Sequence, residues 1–294
     1  MQARLIAHGL RRLVKPRHVG RTGIPLLRAL MFALTRSRLP PGVTAQRTKS
    51  PARGEWLRPA KPRHGHALLY FHGGGFFCGA PRTHRAITAR LAKLLGMAVF
   101  SLDYRLAPEH PFPAALEDAL AAWRWLLAEG YWPDRMWLSG DSAGGGLALA
   151  LMLACKKAGL PLPAGAMLLS PWTDLTCSGA SMATNIKSCA WFRPEQVRFA
   201  ASLYAGKTDK ADPFLSPLFG DLSGLPPLII HASDSELLRD DSLRLAEKAR
   251  AAGVAVTLEI WHGLPHAWPN FAGLMPEGDA CLAAAVNKML VPAG

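Results

Sequence analysis

Ser139-Gly140-Asp141-Ser142-Ala143-Gly144-Gly145-Gly146 is the stretch from which the fold of this chain is predicted. It follows a short apolar run at 135–138 and opens a long run rich in alanine and leucine that ends near Gly159. A strand, a Gly-x-Ser-x-Gly turn and a helix in that order are typical of a nucleophile elbow. A serine hydroxyl can attack a carbonyl only if it projects from a sharp, strained turn, and the flanking glycines leave room for the strand and the helix. Ser142 is therefore the candidate nucleophile.

A second glycine-rich stretch, His72-Gly73-Gly74-Gly75-Phe76-Phe77, directly follows an apolar run at 66–71 that predicts a buried strand. Successive glycines expose backbone N–H groups without side chains in the way, which is what an oxyanion hole requires. A flexible turn would not explain why large apolar residues flank the glycines on both sides. No Lys-Ser/Thr pair follows either glycine run and the G-x-G-x-x-G spacing is not met, so neither run is predicted to bind a nucleotide.

Strand and helix patterns alternate along the rest of the chain, whose 294 residues and 50% hydrophobic content suit one large domain. This alternation predicts an α/β fold with a mostly parallel sheet and helices on both faces. The segment 176–215 is irregular apart from a helix near 194–204, and we interpret it as a lid-like insertion. The remaining predicted strands are at about 97–102, 164–170, 228–232 and 256–261, and the remaining predicted helices at about 83–95, 114–128, 239–252 and 279–290.

The positive charge of the chain is concentrated at its N-terminus. Residues 1–64 hold 15 lysines and arginines and one acid, Glu55, whereas residues 65–294 hold 19 basic and 20 acidic residues. Apolar residues at helical spacing predict a helix over 3–15, ended by Pro16, and a second helix from about Pro25 to Thr35. We interpret residues 1–42 as a basic helical cap and residues 43–294 as the catalytic domain.

Several partners are disfavoured by composition. The basic arm offers only Phe32 and Trp56 for stacking on bases, so nucleic-acid binding is not expected. The chain has no run of eighteen apolar residues, so no stable membrane insertion is predicted, although a basic amphipathic segment on an anionic membrane surface stays an alternative to an exposed basic face. Arg28 interrupts the apolar stretch 24–34, which argues against a secretion signal. Five cysteines without a C-x-x-C pair favour a reducing compartment, by default the cytoplasm, and disfavour disulfides and zinc.

A serine nucleophile needs a base, and only three histidines follow the serine in this chain. His231 lies within a predicted strand and is assigned to the core. His262 and His266 follow the last strand, but Gly263 and Pro265 between them argue against a helical metal pair. We favour His266 because its loop can reach the serine, and we keep His262 as the alternative.

The base needs an acid, which should follow the strand at 228–232 because the expected chain order is serine, acid, histidine. Asp234, Glu236, Asp240 and Asp241 are the candidates. Asp240 and Asp241 fall within the next predicted helix, where they can simply favour its first turn. Chemistry alone does not separate Asp234 from Glu236.

The chain resembles the hormone-sensitive-lipase-like family of α/β hydrolases, which includes bacterial carboxylesterases. The resemblance covers roughly residues 65–294. It implies the α/β-hydrolase fold with an N-terminal helical lid, Ser142 as nucleophile and His266 as base. It also implies an oxyanion hole built from the backbone of Gly73, Gly74 and Ala143. The residues that carry it are His72-Gly73-Gly74-Gly75, Asp103-Tyr104-Arg105-Leu106-Ala107-Pro108-Glu109, Gly140-Asp141-Ser142-Ala143-Gly144-Gly145, Ser170-Pro171-Trp172 and His266.

The chain departs from the family at the acid, where the family usually has Asp-Pro-Leu-x-Asp. Setting 225–227 and 239–240 in register with that pattern places Glu236 at the first aspartate, so we expect Glu236 as the acid and keep Asp234 in reserve. The resemblance implies a serine carboxylesterase that acts on short- to medium-chain esters without metal or organic cofactor. A membrane-surface lipase, an amidase or a lactonase on the same fold are the alternatives, and dimerisation along an edge strand stays open.

Overall fold

The computed structural model describes residues 2–15, 20–35 and 38–290. Within these ranges one sheet holds all the strands, in the order β1-β2-β4-β3-β5-β6-β7-β8. β2 pairs antiparallel with both β1 and β4, and every other pairing is parallel. The strands are β1 (Val43–Thr48), β2 (Gly54–Pro59), β3 (Ala67–Phe71), β4 (Ala98–Leu102), β5 (Met136–Asp141), β6 (Gly165–Leu169), β7 (Leu228–Ser233) and β8 (Val256–Trp261).

The helices form close to the positions that the sequence predicts. The helix predicted over 3–15 ends at Leu13, and Pro16, its predicted end, lies outside the described residues. The helix predicted from 83 begins at Arg85, because a short 3₁₀ helix occupies 81–84. The α-helices are α1 (Gln2–Leu13), α2 (Ile24–Leu34), α3 (Arg85–Leu95), α4 (Ala114–Ala128), α5 (Ala143–Lys157), α6 (Ser181–Thr184), α7 (Pro194–Ala205), α8 (Arg239–Ala251) and α9 (Pro276–Leu290).

A separate hydrophobic core lies on each face of the sheet. Successive side chains of a strand point to opposite faces, so Leu69 and Phe71 of β3 pack with α4, α5 and α8. Leu68 and Tyr70 pack on the other face with α3 and α9. The predicted fold class, a mostly parallel sheet with helices on both faces, is confirmed. Among the described helices, none is both long and apolar enough to cross a bilayer.

The central strands present their carboxyl ends at one edge of the sheet. β3, β5 and β6 are neighbours in parallel, and β7 follows β6. The loops after these strands therefore meet at the same edge, which is where ligands bind in sheets of this kind. The glycine-rich stretch follows β3, Ser142 follows β5, and the acid candidates follow β7.

The N-terminal helices attach to two different parts of the chain near that edge. The Arg11 guanidinium on α1 donates to the Ser188 carbonyl (2.7 Å), and the Lys15 ammonium, in the turn just after α1, donates to the Cys189 carbonyl (2.6 Å). On α2, the Arg28 guanidinium donates to the Phe77 carbonyl (2.8 Å) in the glycine-rich loop. Both helices thus border the carboxyl edge of the sheet.

Candidate active site

Ser142 lies in a sharp turn between β5 and α5. Its backbone has φ 53° and ψ −123°, a strained conformation for a residue with a side chain. Its N–H donates to the Leu169 carbonyl (2.9 Å), and its carbonyl accepts from the Trp172 N–H (2.9 Å). The loop after the neighbouring strand β6 therefore holds the strained turn in place.

The glycines of this turn permit close backbone contact. A Cβ atom on Gly140 would lie 2.4 Å from the carbonyl atoms of Gly144, and one on Gly144 would lie 2.0 Å from the Phe71 oxygen. Neither distance is compatible with a side chain, so the elbow packs against the end of β3 only because both residues are glycine. This close contact brings Ser142 next to the glycine-rich loop.

His266 and Glu236 form a buried pair. The His266 Nδ1 hydrogen-bonds to Oε2 of Glu236, and the two residues are only 3% and 1% exposed. The other carboxylate oxygen, Oε1, accepts from the Ser233 N–H (2.7 Å), and the Asn185 amide donates to the Glu236 backbone carbonyl (2.8 Å). The imidazole is thus fixed through one nitrogen. Its Nε2 is buried and has no hydrogen-bond partner among the described residues.

The loops of His266 and Ser142 are both attached to the end of β6. The Leu169 carbonyl accepts from the N–H of Ser142, and the hydroxyl of the next residue, Ser170, accepts from the N–H of Ala267 (3.2 Å). Two adjacent residues of β6 and its loop therefore fix the backbone of both segments. This attachment brings the predicted nucleophile and the predicted base to one site.

Asp234 and His262 form a second carboxylate–imidazole pair, at the surface. Asp234 Oδ2 lies 2.7 Å from His262 Nδ1, and Oδ1 accepts from the Gly263 N–H (2.9 Å). The His262 side chain is 90% exposed. Partial burial opposes the charge of Asp234, but the Gly263 N–H and the His262 ring hold the pKa of this carboxyl below its usual value. Glu236 and His266 thus form a buried pair, whereas Asp234 and His262 form a separate pair at the surface.

The other candidates have structural contacts. Asp240 accepts from the Ser181 N–H (2.8 Å), and Asp241 accepts from the N–H groups of Thr173 and Asp174 (2.7 and 2.8 Å). Burial raises the pKa of Asp241 to about 8 in spite of these donors. Both acids therefore hold loops together, which goes beyond the expected effect on the first helical turn. His231 is fully buried in β7, as the sequence predicts.

The glycine-rich loop differs from the sequence-based expectation at Gly73. Its N–H donates to the carboxylate of Asp141 (2.9 Å), so this group, expected to be an oxyanion donor, is already engaged. Within the described part of the chain, the N–H groups of Gly74, Gly75 and Ala143 have no acceptor. Ala143 is the first residue of α5, where the N–H has no partner inside the helix. Of the three expected donors, Gly74 and Ala143 thus keep N–H groups without an acceptor among the described residues, whereas Gly73 does not, and Gly75 offers another such group.

Asp141 is a buried carboxylate that the sequence analysis did not assign a role. Its Oδ1 also accepts from the Tyr70 hydroxyl (2.6 Å), and its Oδ2 accepts from the Asn270 amide (3.0 Å) and lies 3.4 Å from the His84 Nε2. Burial opposes ionisation, but His84, Tyr70 and Asn270 together hold the pKa of Asp141 below its usual value. A carboxylate buried between an apolar strand and an apolar helix needs such partners. The acid in this apolar stretch is therefore a signal, present in the sequence itself, that Asp141 has polar contacts.

Two rings lie beneath the glycine-rich loop. The His72 ring stacks on the Tyr104 ring with centroids 4.2 Å apart, and the Tyr104 hydroxyl donates to the His72 carbonyl (2.7 Å). Burial, together with the positive charge on His84, lowers the pKa of His72 to about 3. His72 is therefore a neutral support for the loop, and Tyr104 supports the same loop through its stacked ring and its hydroxyl.

Aromatic side chains from the segment 176–215 border the buried histidine. The Phe192 ring lies 5.3 Å from the His266 ring, edge to face, and Trp191 stacks between Phe192 (5.8 Å) and Phe271 (6.0 Å). Helix α1 packs on the same segment through Ala7 and Leu10, which contact Ala190. Bulky rings thus limit the space on this side of the site.

Comparison with known proteins identifies the family. A family model described as the alpha/beta hydrolase fold matches residues 68–270. An acetyl-hydrolase of Streptomyces hygroscopicus is 44% identical over 84% of this chain and 82% of its own length. An esterase of Acinetobacter venetianus is 38% identical over 79% of this chain and 76% of its own length.

Solved structures agree with the sequence relatives. A crystal of EstE5 soaked with p-nitrophenyl butyrate matches at a TM-score of 0.92 with 38% identity, over 98% of this chain and 97% of that one. An esterase from the bacterial hormone-sensitive lipase family matches at 0.92 with 39% identity and the same coverage. The chain belongs to the α/β hydrolases, in the hormone-sensitive-lipase-like family of bacterial carboxylesterases. The family, the fold and the enzyme class expected from the sequence, a carboxylic ester hydrolase, are confirmed.

The Asp141–His84 pair predicts a pH-dependent contribution to stability. Burial alone would lower the pKa of His84, but the Asp141 carboxylate raises it above its ordinary 6.5. A group whose pKa is raised by folding stabilises the fold fully below the unfolded-state pKa, and this contribution is lost as the pH rises through the folded-state pKa. In urea unfolding between about pH 5.5 and about pH 8.5, the stability difference between wild type and His84→Gln should therefore shrink as the pH rises. A difference that stays constant or grows with pH would contradict this coupling.

Proposed function

We propose that this enzyme hydrolyses short- to medium-chain carboxylic esters through Ser142, His266 and Glu236. The observation that carries the proposal is the buried Glu236–His266 pair, whose Nε2 has no partner among the described residues. An oriented, buried imidazole, on a loop attached to the same strand end as a strained serine, supplies the groups that activate a hydroxyl nucleophile. The exposed Asp234–His262 pair lacks this burial.

The first half of the reaction forms an acyl-enzyme. The Ser142 Oγ attacks the ester carbonyl while His266 Nε2 takes the hydroxyl proton, and Glu236 stabilises the resulting imidazolium. The carbonyl oxygen becomes an oxyanion, for which the N–H groups of Gly74, Gly75 and Ala143 are the proposed donors. The tetrahedral intermediate then expels the alcohol, which takes the proton from His266 as it leaves.

The second half returns the enzyme to its starting state. A water molecule gives a proton to His266 Nε2 and attacks the acyl carbonyl, and the same N–H groups bind the second oxyanion. Collapse of this intermediate returns the proton to Ser142 and releases the carboxylic acid. Every step uses protein groups and water.

The limited space near His266 supports a short or medium acyl chain. Phe192 and Trp191 place bulky rings beside the base, and α1 packs behind them. Two comparisons point the same way, since one relative is named an acetyl-hydrolase and one similar crystal was soaked with a butyrate ester. A long-chain lipase would need a longer apolar channel past these rings.

We further propose that residues 1–42 act as a cap on the catalytic domain, residues 43–294. The contacts of Arg11 and Lys15 with 188–189, and of Arg28 with the Phe77 carbonyl, support this role because they connect both N-terminal helices to segments of the site. All five cysteines are free and buried, which supports a reducing compartment, and we propose the cytoplasm. The lid-like role of 176–215 is proposed on the position of Phe192.

A chain-length series tests the proposed substrate class. We expect kcat/KM for p-nitrophenyl esters to be highest at acetate or butyrate and to fall steeply toward palmitate. The Ser142→Ala variant should retain its fold, seen by circular dichroism, and lose at least about 10⁴-fold in kcat, because the nucleophile is gone. A maximum at palmitate, or turnover that survives in Ser142→Ala, would overturn the proposal.

A matched pair of amide substitutions tests the proposed acid. Glu236→Gln removes the charge that orients and stabilises His266, and we expect kcat to fall by roughly 10³- to 10⁴-fold with a small change in KM. Asp234→Asn alters the exposed pair by the same chemistry and should change kcat by less than about threefold. Steady-state kinetics with p-nitrophenyl butyrate measure both variants. The reverse ranking would assign the role to Asp234.

A further inference from the structure

Helix α2 presents an apolar side to solvent. Its first residue, Ile24, is buried and its only charged residue, Arg28, faces the protein, where it pairs with Glu109 (2.8 Å). Helices on a protein surface normally have the opposite arrangement, with apolar residues inside and charges outside. The spacing of three to four residues places the exposed side chains along one side of the helix. They are Pro25, Leu26, Ala29, Leu30, Phe32 and Ala33, of which Leu26, Leu30 and Phe32 are 65%, 43% and 39% exposed.

Cations without acidic partners surround this apolar side. Arg21 stands in the turn before α2 and forms no ion pair with another described residue. The Arg82 guanidinium lies over the Phe32 ring, 4.2 Å from its centroid. In the whole sequence the first acid is Glu55, so no carboxylate within the N-terminal segment can neutralise these charges.

Helix α1 repeats the combination. Its buried residues, Ala3, Ala7 and Leu10, face the protein. Its outward side carries Leu5 and Leu13, which are 64% and 63% exposed, together with exposed arginines at 4 and 12. We call the exposed side chains of α1 and α2, with Arg21, the cap surface.

We propose that the cap surface docks on an anionic lipid bilayer. Arginines bind lipid phosphates, while leucine and phenylalanine enter the boundary between headgroups and acyl chains, so a lipid surface satisfies both kinds of side chain at once. A second copy of the chain would bring the same positive charge against itself, and nucleic acid would leave the leucines in water. The helices have 12 and 11 residues, too short to span a bilayer, so the attachment is peripheral.

Docking would bring the bilayer close to the site. The Arg28 guanidinium links α2 to the Phe77 carbonyl beside the candidate oxyanion donors, and α1 contacts the segment that carries Phe192. The binding itself does not depend on the proposed function. Only its consequence, access to esters dissolved in the membrane, depends on that function.

Vesicle flotation with the full chain tests the proposal. Vesicles of phosphatidylcholine with about one third phosphatidylglycerol should carry the protein upward at low salt, and added salt should weaken this binding. Vesicles of phosphatidylcholine alone should bind at least about tenfold less, because they lack the surface charge. Absence of binding to the anionic vesicles, or equal binding to both kinds, would overturn the proposal.

Paired substitutions identify the residues responsible. Leu26→Gln with Leu30→Gln should weaken binding by roughly tenfold or more, because two apolar side chains no longer enter the lipid. Arg4→Gln with Arg12→Gln and Arg21→Gln should weaken it by a similar factor and reduce its salt dependence. The matched control, Leu94→Gln with Leu243→Gln, changes two leucines that are 45% and 37% exposed on α3 and α8 and should bind like wild type.

Two further readouts separate docking from other outcomes. Melting temperature by circular dichroism shows that each variant is folded without reference to any activity, and turnover of soluble p-nitrophenyl butyrate should stay near wild type. Self-association in size-exclusion chromatography that disappears in the Leu26→Gln, Leu30→Gln variant would overturn the proposal and assign the surface to a second copy. Equal binding of this variant and the control pair would also overturn it.

Discussion

A single buried carboxylate, Asp141, joins the loops from which the candidate site is built. It accepts hydrogen bonds from Gly73 in the glycine-rich loop and from Asn270 in the segment after His266, and it lies 3.4 Å from the His84 imidazole. A carboxylate buried without such partners would cost several kcal/mol. The glycine-rich loop, the turn that carries Ser142 and the loop that carries His266 therefore share one electrostatic anchor, and the geometry of each depends on the other two.

The elbow adds a steric constraint to this anchor. Gly144 lies so close to the end of β3 that a Cβ atom would lie 2.0 Å from the Phe71 oxygen, and the strained Ser142 is fixed by backbone hydrogen bonds to the loop after β6. Asp141 fixes the glycine-rich loop at Gly73, so the N–H groups of Gly74 and Gly75, which have no acceptor among the described residues, lie on the part of the loop that the carboxylate does not engage. The position of the proposed oxyanion donors therefore depends on where the carboxylate engages the loop.

Much of this arrangement could be predicted from the sequence because its signals are local. The Gly-x-Ser-x-Gly turn between a strand and a helix, the alternating elements and the loop position of His266 each occupy one short stretch. Glu236 was predicted by register with a family motif, and the structure places it beside His266, although its role stays a prediction. The contact that engages the Gly73 N–H could not be predicted from the sequence, because its acceptor, Asp141, lies 68 residues away. The exposed apolar side of α2 could not be predicted, because the spacing of apolar residues shows which of them share one side of a helix. It does not show whether that side faces the protein or the solvent.

The proposed mechanism requires that Ser142 is a nucleophile activated by His266. Reaction with a fluorophosphonate, followed by intact-mass and peptide mass spectrometry, tests this requirement because the reagent forms a stable bond only with an activated hydroxyl. We expect one phosphonyl group per chain, attached to Ser142, and much slower labelling of the His266→Ala variant. Labelling at another residue, or no labelling of the folded wild-type protein, would rule this mechanism out.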